Sequence, residues 1–250
     1  MRYTVTQRRA HTRDVVTLTL RAISPMPPPL FRPGQFAVLG GPGKTPVASL
    51  LSGQPDPGAV QFTVRADTPD GLAEVVCGTP VTVTGPLGAG WPLPAAAGAD
   101  VVLVAGGLGL APLRPLLHQL TADRARYRTV SLFIGGRRAD DLLFADEHRR
   151  WMDRGVGVDV IVDPQPTGVA GWIPGVAALF GRLPPPAGPR VAYVCGPELL
   201  LRPVARGLVA HGVPPRCIWL ASTRPPQRGL DPIVRVDHLR EPAGPLVRAA

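Results

Sequence analysis

The sequence predicts two domains, an N-terminal antiparallel β-barrel followed by a C-terminal α/β domain with an open parallel sheet. Short alternating or β-branched runs, separated by proline and glycine turns, fill about the first hundred residues. Beyond a small-residue link at residues 94–98, continuous apolar runs alternate with segments of helical apolar spacing. We therefore expect a barrel in residues 1–94, an α/β domain in residues 99–222 and a separate tail in residues 223–250.

The barrel strands follow from period-two alternation, which is typical of strands that bury one face. The spacing of the turns between them suits antiparallel neighbours rather than βαβ units. A short helix is expected at residues 71–76. The predicted strands cover residues 3–6, 15–20, 35–39, 60–66 and 80–84.

The α/β domain is predicted from apolar runs long enough for strands buried on both faces. The predicted strands cover residues 101–105, 130–134, 158–162, 191–194 and 217–220. The predicted helices cover residues 112–121, 139–154, 176–180 and 199–211. In the tail we expect one strand and an end that packs on the barrel or docks a partner.

Composition excludes several classes of function. The 250 residues are 45% hydrophobic, which is enough for two buried cores. No apolar run reaches the roughly 18 residues of a membrane span, and the first residues lack a signal peptide's apolar run, so the expected location is cytoplasmic. The net charge of +9 raises nucleic acid as a partner, but Lys44 is the only lysine and the arginines are scattered. We favour solubility, or docking to an acidic partner, as the role of this charge.

Cysteine and histidine usage predicts no metal site in the chain. Cys77, Cys195 and Cys217 are too few and too widely spaced for a four-thiolate site or a disulfide framework. The five histidines never occur at metal-ligand spacing.

The strongest local signal is an apolar run from Val101 that ends in Gly106-Gly107-Leu108-Gly109 and continues into a helix whose first turn holds Pro112. Glycines let the backbone approach a pyrophosphate, and the N–H groups at the start of the helix stabilise the anion. Alone, such a turn also suits tight packing of a helix on a sheet. Its sequence surroundings favour the phosphate-binding interpretation.

The order strand, Ala-Gly-Gly-x-Gly-x-Ala-Pro, helix resembles the nucleotide motif of ferredoxin–NADP reductase-like proteins. Four more segments resemble motifs of that family in the same order along the chain, and they cover residues 31–36, 83–88, 132–144 and 194–198. The resemblance extends over about residues 5–222. Residues 137–144, residues 172–175 and the short C-terminus are most similar to the electron-transfer subunits of dihydroorotate dehydrogenase, sulfite reductase and cytoplasmic nickel–iron hydrogenase complexes.

The resemblance implies a flavin-binding barrel and a dinucleotide-binding second domain. FAD on the barrel would exchange hydride with NAD(H) or NADP(H) and pass electrons to a partner metalloenzyme or iron–sulfur subunit. The implied catalytic residues are Ser49, Cys195 and Glu198. The implied cofactor-binding residues are Gly106, Gly107, Leu108, Gly109, Leu110, Ala111, Pro112, Gly135, Arg137, Arg138, Gly196, Pro197, Ser49, Leu50, Gly71, Leu72, Gly85 and Pro86.

Some of these roles have a plain alternative. Arg137 and Arg138 suit a ribose or 2′-phosphate, because arginine forms paired bonds to phosphate oxygens, but solvated charge explains them equally well. Cys195 would lie against the nicotinamide with Glu198 nearby, or it is a small buried apolar residue.

The departures from the family pattern concern the flavin and the cluster. The family's flavin motif, Arg-x-aromatic-or-Ile-Ser, is replaced by residues 46–49: Pro46 replaces the arginine, Ala48 replaces the aromatic residue or isoleucine, and Ser49 is retained. In residues 68–70, a proline takes the position of the threonine that contacts the flavin phosphates in the family, and Asp70 adds a negative charge that repels phosphate. Losing one ion pair to a phosphate costs roughly 1.5–3 kcal/mol, or about tenfold to a hundredfold in affinity. Residues 223–250 contain none of the subgroup's four cluster cysteines, so no iron–sulfur cluster is expected in this chain.

Three functions remain open. The first is a flavin-dependent NAD(P)H oxidoreductase that passes electrons between the nucleotide and a partner protein or small acceptor. The second is a degenerate, flavin-free structural or regulatory subunit of a larger redox complex. The third is another flavin- or nucleotide-dependent conversion of a small molecule on the same scaffold.

Overall fold

A computed structural model of the chain describes residues 1–23, 29–53, 58–66, 71–162, 180–183, 185–224 and 232–238. Two six-stranded sheets are present, one antiparallel and one largely parallel, as the sequence predicts. The helices of the described residues belong to the second half, and each half has its own core.

The antiparallel sheet is formed by the first six strands. Its strands are β1 (Arg2–Ala10), β2 (Val15–Ala22), β3 (Phe36–Gly40), β4 (Val47–Leu50), β5 (Ala59–Arg65) and β6 (Pro80–Leu87). Their order in the sheet is β4-β3-β6-β1-β2-β5. A bridge between Leu51 and Phe62, and a 2.9 Å bond from the Ser52 N–H to the Gln61 carbonyl, join the two edges. The sheet therefore closes into a barrel filled by alternate side chains such as Leu18 and Leu20.

The second sheet has five parallel strands and one antiparallel edge strand. Its strands are β7 (Asp100–Gly106), β8 (Val130–Gly136), β9 (Gly157–Val162), β10 (Arg190–Gly196), β11 (Ile218–Ser222) and β12 (Ile233–Arg235). Their order is β12-β11-β10-β7-β8-β9. The antiparallel strand β12 comes from the tail, and it pairs with β11. The predicted tail strand therefore extends the α/β sheet.

Helices cover both faces of the parallel sheet. They are α1 (Leu110–Ala122), α2 (Ala145–Asp153) and α3 (Glu198–Ala210). Leu103 of β7 packs in one core cluster with residues of α1 and α2, whereas its neighbour Val104 packs in a second cluster with residues of α3. All residues of β7 and β10 are buried, which explains why both strands are almost entirely apolar after their first residues, Asp100 and Arg190.

Local differences from the sequence predictions have identifiable causes. The predicted helix at residues 71–76 is only a 3-10 turn at Leu72–Glu74. The predicted helix at residues 139–154 is divided, because a 3-10 turn at Ala139–Asp141 is followed by Phe144 in a left-handed conformation before α2 begins. Strand β4 was not predicted. Residues 68–70, 172–175 and 176–179, which carried sequence predictions, lie outside the described residues.

No helix in the described part of the chain is long and apolar enough to cross a membrane. Among the same residues, no group of three or more metal-binding side chains is gathered in one place.

Candidate dinucleotide and flavin sites

The glycine turn at residues 106–109, which the sequence predicts to bind a dinucleotide and which is called the dinucleotide turn, lies at the point where the order of the parallel strands reverses. Strands β7 and β10 are neighbours, but α1 leaves β7 on one face of the sheet and α3 leaves β10 on the other. Because α1 and α3 leave on opposite faces, a crevice forms outside the carboxyl ends of β7 and β10. Open α/β sheets bind their ligands at such a crevice. Residues 107–109 follow β7, and Pro197 follows β10, so the predicted nucleotide residues of both turns share this crevice.

Glycines allow the two turns to touch. A Cβ atom on Gly109 would overlap the backbone carbonyl of Cys195, and a Cβ on Gly196 would lie 3.3 Å from the Cα of Gly106. Gly107 differs, because its φ of 51° is left-handed and an added Cβ would meet no atom within 4 Å. Gly109 therefore faces protein, whereas Gly107 faces open space where a ligand can approach.

The start of α1 is electrostatically suited to an anion. No side chain caps this end, and no acidic residue lies in the first turn. Leu110, Ala111 and Pro112 form that turn, and all three are buried. Residues 107–109 form a 3-10 turn that continues into α1, and the Leu110 N–H is bonded to the Gly107 carbonyl. The positive dipole end of this helix is a feature that phosphate-binding turns use.

Arg137 and Arg138 follow Gly135 and Gly136 at the end of β8, beside the dinucleotide turn. Gly135 pairs with Gly106 in the parallel ladder, so the two strand ends are adjacent. Both arginines are exposed, and the Nε of Arg137 lies 3.7 Å from the carboxylate of Asp141. Their position permits contact with a bound nucleotide, and their role remains a prediction.

The predicted catalytic pair at the end of β10 is divided between core and surface. The Cys195 side chain is fully buried in the cluster that contains α1, and burial raises the pKa of its thiol. Glu198, the first residue of α3, is 54% exposed and lies 3.2 Å from Arg224. The thiol is therefore neutral and inaccessible in this conformation, whereas the carboxylate faces solvent.

The predicted flavin residues of the barrel lie on neighbouring strands. Ser49 of β4 pairs with Ala37 of β3, and a Cβ on Gly85 of β6 would lie 2.8 Å from the Cβ of Ala37. Gly85 and Pro86 also line a small apolar cavity at the end of the barrel. Every residue of β4, including Ser49 and Leu50, is half-buried, so a ligand can reach this strand.

Gly71 and Leu72 lie at the start of the 3-10 turn, with Leu72 fully buried and Gly71 at a φ of 58°. A Cβ on Gly71 would overlap the ammonium group of Lys44, which also lies 3.8 Å from the carboxylate of Glu74. Arg8 donates a 3.0 Å hydrogen bond to the carbonyl of Ala73. The sequence did not predict that Arg8 and Lys44 lie beside this turn. The only signal in the sequence was that Lys44 is the sole lysine.

Comparison with known proteins places the chain among reductases. The oxidoreductase NAD-binding domain family matches residues 103–206. The probable dihydroorotate dehydrogenase B (NAD(+)), electron transfer subunit, of Methanopyrus kandleri is 32% identical over 212 residues, which is 84% of this chain and 75% of that protein. The chain belongs to the ferredoxin–NADP reductase-like family. The reductase component of propane 2-monooxygenase from Rhodococcus jostii is 30% identical over 86% of this chain, which spans only 61% of that longer protein.

The fold of this ferredoxin–NADP reductase-like chain is also that of solved reductases. A ferredoxin NADP+ reductase from Neisseria gonorrhoeae, with bound FAD and NADP, matches with a TM-score of 0.71 and 18% identity. The match covers 89% of this chain and 98% of that one. At this identity the match establishes the fold alone.

The residues of the barrel fit an FAD in spite of the altered motif. Lys44 and Arg8 bring two cations to the turn at Leu72–Glu74 from different parts of the barrel. Ser49 retains a hydroxyl on the half-buried strand, and Ala48 provides no aromatic ring there. The donors for a phosphate are therefore present, although not at the position of the family's arginine.

A buried polar network joins this ferredoxin–NADP reductase-like chain's two halves. Burial raises the pKa of the Glu147 carboxyl, but hydrogen bonds from His118 and Arg114 and their charges outweigh this and lower it to about 2. Burial, followed by the charges of Arg9 and Arg114, lowers the pKa of His11 to about 4. The contact region between the barrel and the α/β domain, called the joint, therefore contains an ionised Glu147 and a neutral His11 near pH 7.

Proposed function

We propose that the chain is a flavin-dependent NAD(P)H oxidoreductase module that passes electrons between a nicotinamide nucleotide and a partner protein or small acceptor. The observation that carries this proposal is the glycine turn at the strand reversal, where α1 begins without a side-chain cap or an acidic residue. Such a turn suits the pyrophosphate of a dinucleotide. The names of the Methanopyrus and Rhodococcus relatives, an electron transfer subunit and a reductase component, support the same function.

In the α/β domain, the chain would bind and orient the nicotinamide dinucleotide. The turn at residues 106–109 would hold the pyrophosphate, with Arg137 and Arg138 available for the ribose or a 2′-phosphate. Glu198 and Pro197 would border the nicotinamide at the end of β10. Because its thiol is neutral and buried, Cys195 would support this strand end by packing rather than by proton transfer.

In the barrel, the Ser49 hydroxyl would donate a hydrogen bond to the flavin ring, with Leu50, Gly85 and Pro86 beside it. Lys44 would pair with the flavin phosphates near Gly71 and Leu72. When bound, FAD exchanges hydride with the nicotinamide and can exchange single electrons with an acceptor.

A protein partner is part of this proposal. Residues 223–250 contain no cysteine, so an iron–sulfur relay would have to lie outside residues 1–250. The net charge of +9 favours an acidic docking surface on that partner, because complementary charge accelerates encounter.

Flavin binding is the decisive test. Purified protein is incubated with FAD, freed of excess ligand and scanned for bound-flavin absorption; NADH and NADPH are then titrated by calorimetry and tested for reduction of the flavin. We expect stoichiometric flavin and reduction by at least one nucleotide. Protein that retains no flavin, or whose flavin neither nucleotide reduces, would refute the oxidoreductase proposal.

Lys44 allows an independent test of the phosphate contact. As the only lysine, it can be acylated and followed by mass spectrometry without a competing lysine side chain. We expect FAD to protect Lys44 from acylation, Lys44→Gln to weaken FAD binding about tenfold, and the charge-retaining Lys44→Arg to weaken it much less. Equal labelling with and without bound FAD would remove Lys44 from the site.

A flavin-free subunit is the second candidate, and Pro46 and Ala48 at the motif positions favour it. It predicts nucleotide binding without flavin binding. Calorimetry that detects NADH or NADPH binding to colourless protein would support this alternative.

A further inference from the structure

A buried arginine ties α1, the helix after the dinucleotide turn, to two places in the barrel: Ser52, just beyond the predicted flavin strand β4, and Gln61 of β5. Arg114 lies in α1, two residues after Pro112, and its side chain is 13% exposed. Its Nη1 donates hydrogen bonds of 3.0 Å to the carbonyl of Ser52 and 2.8 Å to the side-chain oxygen of Gln61. Ser52 follows Ser49 by three residues, so this link runs between the two halves of the proposed site.

The guanidinium is itself held from the other side. Its Nε lies 3.0 and 3.1 Å from the two carboxylate oxygens of Glu147, and its Nη2 lies 2.8 Å from one of them. The Glu147 side chain is 4% exposed. Arg114 therefore uses all three nitrogens at once in a fixed planar geometry that lysine, with a single ammonium group, cannot reproduce.

Phe144 completes the setting of this arginine. The Arg114 guanidinium carbon lies 4.7 Å from the centre of the Phe144 ring, and the ring of His11 from the barrel packs on the same phenyl group at 4.5 Å. Phe144 has a left-handed φ of 52°, which a bulky residue adopts only where its surroundings impose it. Hydrogen bonds, an ion pair and an aromatic contact therefore hold the Arg114 guanidinium in one position, as expected for a residue whose role is to fix geometry.

We propose that Arg114 is a positioning residue that fixes the distance and angle between the dinucleotide turn and the flavin strand. The inference rests on the proposed function, because it concerns hydride transfer between ligands on the two domains. Such a transfer requires reacting atoms about 3–3.5 Å apart, and a 1 Å error costs about a hundredfold in rate. Arg114 acts through α1 and touches neither proposed ligand.

Two variants test this link from opposite sides. Arg114→Lys keeps a positive charge beside Glu147 but removes the fork that also reaches the barrel. Gln61→Ala removes one barrel acceptor and leaves the Arg114–Glu147 pair intact. Arg124→Lys is the matched control, because Arg124 donates three hydrogen bonds to backbone carbonyls of its own domain, those of Gly155, Tyr127 and Arg128.

The measurements separate binding from chemistry. At saturating nucleotide, we expect Arg114→Lys to lower the single-turnover rate of flavin reduction about tenfold to a hundredfold, and Gln61→Ala to lower it about tenfold. Flavin content and nucleotide Kd should stay within about threefold of the unmodified chain, and Arg124→Lys should retain the rate. An unchanged rate, or losses of rate, flavin and nucleotide affinity that are parallel in all three variants, would overturn the proposal.

A distance measurement tests the clamp independently of flavin chemistry. Spin labels are attached to the exposed Cys77 in the barrel and to Arg149→Cys in α2, in a Cys217→Ser background; Cys195 is buried. We expect the distance distribution to broaden with Arg114→Lys and to stay unchanged with Arg124→Lys. If the chain holds no flavin, the proposed function fails, and broadening still supports Arg114 as the residue that fixes the joint. A distribution that Arg114→Lys leaves unchanged overturns the clamp even if flavin is bound.

Discussion

Two glycines of the dinucleotide turn should respond differently to the same substitution. Gly109 has ordinary right-handed angles, φ −61° and ψ −16°, so alanine there meets only a steric obstacle. That obstacle is the backbone of Cys195 and Gly196, which belongs to a buried strand and cannot rotate away. Gly107 has the opposite problem, because its left-handed φ disfavours alanine while the space around it is open.

The magnitudes follow from these two causes. Gly107→Ala should cost about 1–2 kcal/mol, which is the left-handed penalty for one residue. Gly109→Ala should cost about 3 kcal/mol, the upper end for overpacking, because backbone rather than a flexible side chain must move. Moving the turn away from β10 also displaces the anion site, so nucleotide affinity should fall more than tenfold for Gly109→Ala.

Urea denaturation and calorimetric titration with NADH and NADPH measure both effects. We expect a lower unfolding midpoint for both variants at constant m-value, with the larger change for Gly109→Ala. Gly107→Asn serves as the control, because asparagine tolerates left-handed angles and should recover much of the stability. If Gly109→Ala were as stable as Gly107→Ala and bound nucleotide equally well, the close contact between the two turns would be refuted.

Three further predictions concern titratable groups. Because the pKa of Glu147 is lowered from 4.5 to about 2, the stability it contributes, about 3 kcal/mol, should be complete above pH 4.5 and be lost as the pH falls towards 2. Glu147→Gln should remove this pH dependence in urea denaturation. The pKa of His11 is lowered from 6.5 to about 4, so unfolding should become easier as the pH falls from 6.5 to 4, and His11→Gln should flatten that window. A thiol reagent should modify Cys77 rapidly and Cys195 only as fast as the chain unfolds; rapid modification of Cys195 in folded protein would contradict its burial.

Much of the fold could be predicted because the pattern of each half is local. Continuous apolar runs predicted β7 and β10, since both faces of these strands are covered, and alternation predicted β1 and β2. Strand β4 could not be predicted in this way, because its four half-buried residues give no apolar alternation. Its existence depends on pairing with β3, a contact that no local pattern encodes.

The glycine turn could also be found from the sequence, whereas the joint between the domains could not. Arg114 stands inside an apolar helical run, and the sequence suggests for Glu147 only the ordinary role of an acid near a helix start, where it favours the positive end of the helix dipole. In the structure, Glu147 does lie in the first turn of α2, but it is buried against Arg114. Pairing across 33 residues depends on how α1 and α2 pack, which neither segment indicates alone.

The tail adds a further attachment to the joint, beside the Arg114 contacts, the hydrogen bond from Trp91 to the Pro112 carbonyl and the Arg9–Asp146 ion pair. Strand β12 belongs to the α/β sheet, yet the side chain of Ile233 lies beside Gly34 of the barrel, where an added Cβ would be 2.7 Å from it, and Pro232 lies close to Gly88. Arg114 and Ile233 contact the barrel at different places along the joint, so the tail adds to the resistance that Arg114 offers to separation and rotation of the two halves. The described part of the tail therefore contacts both halves of the chain. In the proposed reductase, this joint would set the distance between the nicotinamide and the flavin, across which the hydride passes.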